Sequence, residues 1–244
     1  MELVYNDDNH QVDKMSFFSK IWTKIKCKWT KIRLQPIRVF CLHHVCEQFD
    51  TDAMYVCDWM ALDEFKIKVQ TLQQNGVEFI SLSKAHKHIV NDRIRCKKYA
   101  VLTFDDGYAS LKEILPWLFK NNIPVTLFIN GKYLDGKSYR NSPKEQYLTK
   151  EELFALTTPL VEIGSHGWEH INANAMAVEE FIGSIQKNVE LLSAHSRYIP
   201  FHAYTYGGHN HKVDAKLHEE YIIPVLVDGM KNYNKTNCIH RELL

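Results

Sequence analysis

The sequence predicts an α/β fold built on a mainly parallel sheet, either open or closed into a barrel. Short apolar runs suited to buried strands alternate with stretches of helical periodicity from residue 37 to the end. The 244 residues suit one large domain with or without a small appendage, and 45% hydrophobic content can bury a sizeable core. No internal repeat or low-complexity segment interrupts the alternation.

Residues 1–13 are polar and acidic and read as a tail. Residues 14–34 read as a helix. Phe18, Ile21, Trp22, Ile25, Trp29 and Ile32 fall within an arc of about 100°, with Lys20, Lys24 and Lys31 opposite. Eight basic residues and no acid lie between Lys14 and Arg38, which leaves 22 basic against 29 acidic residues elsewhere. Such a stripe suits an anionic membrane surface, and it equally suits a helix covering an apolar groove of the body. Pro36 ends it.

Ile37–Leu42 is the first expected strand, ending at His43 and His44. A helix over Asp63–Gln74 carries Phe65, Val69 and Leu72 at helical spacing and stops at Gly76. A short strand follows at Phe79–Leu82, then a helix near Lys84–Val90. Tyr99–Phe104 has the unbroken apolar character of a strand buried on both faces. Leu111–Asn121 is helical, with Pro116 a candidate kink, and Pro124–Ile129 is another buried strand. Residues 131–148 read as a long polar loop. Thr149-Lys150-Glu151-Glu152 has capping-box spacing and starts a helix. The remaining expectations are strands at Val161–Ile163, Pro200–Tyr204 and Ile222–Val227, helices at Met176–Ser193 and Lys212–Tyr221, and a short extended piece at Cys238–Leu244. In either form of the fold, chemistry belongs just past the C-terminal strand ends.

Two such ends stand out. Tyr99–Phe104 runs into Asp105-Asp106-Gly107. Adjacent carboxylates repel, so a partly buried pair usually needs a cation or a proton. One Asp capping a helix while the other favours its dipole is the plainer alternative. The second end is Ser165-His166-Gly167-Trp168-Glu169-His170, after Val161–Ile163. Histidines four apart share a face on a helical turn and can hold one metal. In a chain with 13 histidines, two satisfied or exposed ones are the alternative. Both elements follow core strands and point into one mouth, where two His and one Asp make a metal triad with open positions. The spare carboxylate is then available to take a proton from water.

The six cysteines include no CxxC pair, so neither a disulfide framework nor a cysteine zinc site is expected, and they read as free thiols. No apolar run behind a basic start marks a secretory signal. The expectation is a cytoplasmic protein, peripheral at the inner membrane surface if residues 14–34 bind it. Nothing suggests nucleic acid.

Thr103-Phe104-Asp105-Asp106-Gly107 followed by His166-xxx-His170 resembles the polysaccharide deacetylases, carbohydrate esterase family 4. Cys41-Leu42-His43-His44-Val45 and Phe79-Ile80-Ser81-Leu82 look like the opening of one branch, so the resemblance covers roughly residues 37–244. It divides the chain into an appendage, 1–35, and a catalytic domain, 36–244. It implies a distorted barrel of about seven strands. It also implies a divalent metal, most often zinc, on Asp106, His166 and His170, with Asp105 as general base. Ala203-Tyr204-Thr205-Tyr206-Gly207 takes the place of the third motif. Tyr206 supplies the candidate oxyanion donor through its backbone N–H, while Ala203 stands where the family has the arginine that orients the base, and Arg197 is out of register. Gly167 replaces the usual Ser or Thr, removing one hydrogen bond from that loop. The general acid is expected at His43, with His44 second and His240 third, and Asp228 facing the mouth as a support for the acid or a strand cap. Arg241 matches the Ile-x-Arg ending of the same branch. The implied reaction is removal of an N-acetyl group from an N-acetylhexosamine in an oligosaccharide, polysaccharide or lipid-linked precursor. Hydrolysis of another non-peptide C–N bond and glycan binding without turnover are the rival readings.

Overall fold

The computed structural model describes residues 35–47, 59–91, 97–138, 145–233 and 236–244. The polar tail and the basic helix expected at 14–34 lie outside the described residues. Among the described residues, ten strands and six α-helices follow in order as β1 (Ile37–Leu42), β2 (His44–Cys46), β3 (Trp59–Ala61), α1 (Leu62–Gln74), β4 (Val77–Phe79), α2 (Leu82–Asn91), β5 (Lys98–Phe104), α3 (Leu111–Lys120), β6 (Val125–Ile129), α4 (Lys150–Phe154), β7 (Val161–Ser165), α5 (Val178–Ser193), β8 (Tyr198–Ala203), α6 (His211–Glu219), β9 (Ile223–Val227) and β10 (Ile239–Leu243).

The main sheet closes on itself. Its order runs β1-β10-β9-β8-β7-β6-β5, and β1 returns to β5 over six register pairs from Ile37↔Tyr99 to Leu42↔Phe104. The result is a barrel of seven parallel strands, as expected. The other edge of β5 is shared. Its first half, Lys98–Ala100, pairs with β4, and its second half, Leu102–Phe104, with β6. That sharing leaves β4 attached below the barrel rather than within it.

Period-two alternation sorts the side chains. Outward residues Ala100, Leu102, Phe104, Val125, Leu127 and Ile129 pack against Phe65 and Val69 of α1 and Leu111, Ile114 and Leu118 of α3. Each large apolar side chain so buried contributes about 1.5–3 kcal/mol. The α3 stripe has the i, i+3, i+4, i+7 spacing of a helix lying on a core, and it continues through Pro116. Inward residues Val39, Val101, Phe128, Phe201, Val225 and Ile239 share a cluster with Leu82, Ala85 and Ile89 of α2, which stops the N-terminal end. With that end closed, the opposite end is the one left for chemistry.

Two details depart from expectation. The strand expected at Phe79–Leu82 is Val77–Phe79, because the amide of Ile80 makes the last ladder bond, to Ala100, and Ser81 Oγ then caps the first turn of α2 through the Lys84 amide. The three-residue strands β2 and β3 pair in parallel as a small separate sheet, too short to leave a periodic signal. The capping box of Thr149 and Glu152 forms as read.

Candidate active site

All seven barrel strands run the same way, so their C-terminal ends open into one mouth, a cavity of about 280 Å³. β5 delivers Asp105 and Asp106. Asp106 has φ 70° and Gly107 φ 86°, two successive left-handed residues that turn the chain sharply off the strand end. Asp is one of the few side chains that tolerate this conformation, and such backbone strain collects at functional sites.

Asp106 Oδ1 is buried and makes no hydrogen bond of normal geometry. It stands 3.4 Å from His166 Nε2 and 3.3 Å from His170 Nε2. Ligand atoms about 2.1 Å from one tetrahedral ion stand about 3.4 Å apart. The three residues therefore fit a single divalent cation, and a buried carboxylate oxygen that bonds to nothing else is the group a cation would satisfy. His166 is also held in the right tautomer: its Nδ1 donates to the Ala203 carbonyl at 2.8 Å, which leaves Nε2 to face Asp106.

The two histidines come together differently from the helical turn expected. Residues 166–170 form an irregular loop, because Gly167 is left-handed at φ 82°. Two buried asparagines hold that loop. Asn130, at the end of β6, donates to the carbonyls of His166 at 2.6 Å and Gly167 at 3.2 Å. Asn188, on α5, donates to Ile129 O at 2.7 Å and Ser165 Oγ at 2.9 Å, and accepts from the Gly131 amide at 2.9 Å. Ser165 Oγ in turn accepts from the Gly167 amide. Neither asparagine is singled out by the motifs. Asn188 had a detectable signal, since it occupies a core position in the α5 stripe of Phe181, Ile185 and Leu192.

Asp105 lies beside this triad and is bound by an arginine after all. Arg241, from β10, is fully buried and makes a two-pronged contact, Nη1 to Oδ1 at 2.6 Å and Nη2 to Oδ2 at 2.8 Å. The expected absence of an orienting arginine, inferred from Ala203, is thus corrected. Arg241 reaches the carboxylate from two strands further round the barrel, while Arg197 bonds the carbonyls of Val161 and Pro159. Burial by itself would raise the pKa of Asp105, but the Arg241 guanidinium, with His166, outweighs it and holds the carboxyl down at about 2. Burial likewise opposes ionisation of Asp106, and the two imidazoles hold its pKa far below the carboxylate range. For His166 burial acts to lower the pKa, and the charges of Asp105 and Asp106 raise it instead.

Of the three histidines weighed as acid, His43 alone lines the mouth, where its ring clusters with Cys41 Sγ and the Asp105 carboxylate within 4.8 Å. His44 is buried, stacked between Trp59 at 4.2 Å and Tyr108 at 3.8 Å, with Nδ1 against Ser110 Oγ. His240 points outward from β10, because Arg241 takes the inward position. Its Nδ1 meets Asp228 Oδ2 at 2.7 Å, so Asp228 faces away from the mouth and does not support an acid there. Tyr206, φ 54°, lines the mouth with its ring edge-on to His170 at 4.3 Å. Tyr204 also borders the cavity, while its ring stacks on Phe181 and its hydroxyl donates to Asp214 Oδ1 at 2.8 Å.

Residues 92–221 match the family model described as polysaccharide deacetylase. This chain belongs to the polysaccharide deacetylase family. A relative among curated sequences carries the name "Putative polysaccharide deacetylase YxkH", from Bacillus subtilis (strain 168). It is 25% identical over 118 residues, 48% of this chain and 39% of YxkH. The chain therefore spans about two fifths of that relative's length. Among solved structures, IcaB from Ammonifex degensii superposes with a TM-score of 0.72 at 19% identity, covering 86% of this chain and 92% of that one. A de-N-acetylase from Aggregatibacter actinomycetemcomitans gives a TM-score of 0.72 at 17% identity, over 86% and 95% of the two chains. The Streptococcus pyogenes deacetylase PplD gives 0.71 at 16% identity, over 87% and 93%. These likenesses establish that the deacetylase barrel is the fold of this chain. The mouth of this barrel holds both carboxylates and both histidines of the two motifs, and the arginine that binds Asp105 comes from β10.

Proposed function

We propose that this protein is a metal-dependent deacetylase that removes the N-acetyl group from an N-acetylhexosamine in an oligosaccharide, polysaccharide or lipid-linked precursor. The observation that carries the reading is the convergence of Asp106 Oδ1, His166 Nε2 and His170 Nε2 beside a second carboxylate, Asp105, clamped by Arg241. Asp106, His166 and His170 would hold the ion, and zinc suits two imidazoles and one carboxylate. When bound, such an ion polarises the acetamide carbonyl and acidifies a water molecule.

The remaining work falls to this chain's own residues. Asp105, held ionised, accepts the proton as water attacks. Both its oxygens bond Arg241; Oδ2, which also accepts a weak bond from Cys41 Sγ at 3.5 Å that an incoming water can displace, faces the triad 3.9 Å from His166 Nε2. The Tyr206 backbone N–H donates to the developing oxyanion. His43, beside Asp105 in the same cavity, delivers the proton to the leaving amine. Val227 and Leu243 give the same cavity an apolar wall that suits an acetyl methyl.

The test is acetate release from N-acetylglucosamine oligomers by zinc-loaded protein, beside Asp105→Asn and His166→Ala. Release is expected from the wild type, with loss in both variants, loss on chelation, and recovery on adding Zn²⁺. Stoichiometric metal with no acetate release would refute the substrate assignment.

A further inference from the structure

A second group of ligating side chains lies outside the mouth, where α6 begins. His209 Nε2 is 2.5 Å from Asp214 Oδ2, and His211 Nδ1 is 3.6 Å from the same oxygen. The donor atoms of all three residues lie within 4.8 Å of one another. They border an open cleft of about 380 Å³ that also contains His218 and Cys238. His211, Asp214 and His218 fall at i, i+3 and i+7 of α6, a single stripe of the helix, and His209 reaches in from the turn before it.

We propose that His209, His211 and Asp214 form a second site for a divalent transition metal of the zinc class, separate from the mouth. Two imidazoles and a carboxylate are a borderline donor set that takes Zn²⁺, Co²⁺ or Ni²⁺ in preference to Mg²⁺ or Ca²⁺. Asp214 is fixed for the purpose. Its Oδ1 accepts the Tyr204 hydroxyl at 2.8 Å, so Oδ2 is the oxygen presented to both imidazoles. An ordinary ion pair would account for His209 beside Asp214. Helical i, i+3 spacing then brings a second imidazole, His211, to the same oxygen, so that both rings and the carboxylate border one open cleft. The cleft, which His218 also lines, leaves room for water to complete the coordination. Tyr204 also joins this site to the mouth. It follows Ala203, whose carbonyl holds His166, and precedes the turn Thr205–Gly207 that carries Tyr206. The site stands on its own donors, whatever the mouth binds or does.

The experiment is titration of Zn²⁺ into the chelator-stripped full chain by calorimetry, repeated with Co²⁺ to read its visible absorption. The background is His166→Ala/His170→Ala, which removes the mouth's imidazoles. That variant should still bind one ion. Adding His211→Ala should weaken the binding at least about tenfold, and Tyr204→Phe, which frees Asp214, by a similar factor. His211 is 91% exposed, so its replacement leaves the fold intact. Failure of the background variant to bind Zn²⁺, or an affinity unmoved by His211→Ala, would overturn the proposal. A wild type that binds one ion, retained in the background variant and lost with His211→Ala, would support this site while refuting metal at the mouth.

Discussion

Replacing Arg241 with Met keeps the bulk of the side chain and removes its charge. The guanidinium is fully buried, makes its fork on Asp105, donates also to Thr103 Oγ1 at 3.0 Å and lies over the Phe128 ring at 5.2 Å. Methionine fills the same space over Phe128, so the loss is not a cavity. It is the stranding of a buried carboxylate, worth about 3–5 kcal/mol when one partner of a buried pair is removed. In a chain of this length each kcal/mol moves Tm by about 2–4 °C, so the variant should melt about 6–20 °C lower. Asp105→Asn should cost a comparable amount, because it strands the guanidinium instead. The double variant removes both charges and should cost well under the sum, with a coupling of about 2–3 kcal/mol. Urea unfolding of the metal-free chain at neutral pH measures all three. The pH matters. Asp105 titrates at about 2 in the folded chain against 3.8 ordinarily, so the pair's contribution is complete above about pH 4 and is lost as pH falls through 2. Strict additivity, or Arg241→Met within about 1 kcal/mol of wild type, would show that the fork is not holding Asp105.

Three further outcomes follow from the same geometry. His43→Gln should lower turnover by about 10²–10⁴ while metal stoichiometry is unchanged, whereas His240→Gln, on the outer face, should leave turnover as it was; the reverse pattern in acetate-release assays would remove His43 from its role. Asn188→Leu leaves the Gly131 amide without its partner and removes one of the bonds to Ile129 O and to Ser165 Oγ, which keep those from the His166 and Gly167 amides, so it should cost about 1–3 kcal/mol in thermal denaturation and also weaken zinc binding at the mouth, and unchanged zinc affinity would mean the loop behind His166 is held otherwise. His202 is buried between β8 and α5 and its pKa is lowered to about 3, chiefly by burial and then by the charges of His166 and Arg241. The unfolded chain takes up that proton first, near pH 6.5, so stability falls as pH drops below it, by about 2 kcal/mol between pH 6.5 and 5; in His202→Asn the urea midpoint should lose that share of its pH dependence, and an identical slope would refute the assignment.

The barrel was legible because its strands are apolar on both faces and its helices carry clean stripes, so local pattern and burial agree at Tyr99–Phe104 and at Leu111–Leu118. The triad was legible because its members sit next to strand ends within short motifs. What escaped was held by contacts distant in sequence. Asn188 meets Ser165 across 23 residues and Gly131 across 57, and no local rule ties an asparagine in a helix to a loop that far away. The histidine pair was found, but its backbone was misjudged, because HxxxH spacing reads as helix until the left-handed Gly167 is taken as a bend rather than a missing hydroxyl. His240 could be separated from Arg241 only by register: with Ile239 in the barrel's inner cluster, alternation puts Arg241 inside and His240 outside.

The arginine shows why a missing motif residue is weak grounds for a missing function in a closed barrel. In an open sheet, two strands on from β8 is about 10 Å sideways, and a guanidinium there would serve a different neighbourhood. Closure changes this. Inward residues at one height share a small interior, so β10 and β8 look onto the same carboxylate at the end of β5. Ala203 on β8 leaves that interior free of a side chain larger than methyl, and Arg241 on β10 crosses it to Asp105, passing over Phe128 and Thr103. Each change requires the other, since two guanidinium groups would crowd and repel within the same cross-section and none would leave Asp105 buried without a counter-charge. Ala203→Arg should therefore destabilise the chain while Arg241 is present and be tolerated better with Arg241→Met, and thermal melts of the two singles and the double decide it: equal destabilisation by Ala203→Arg in both backgrounds would mean that the two positions do not address the same space.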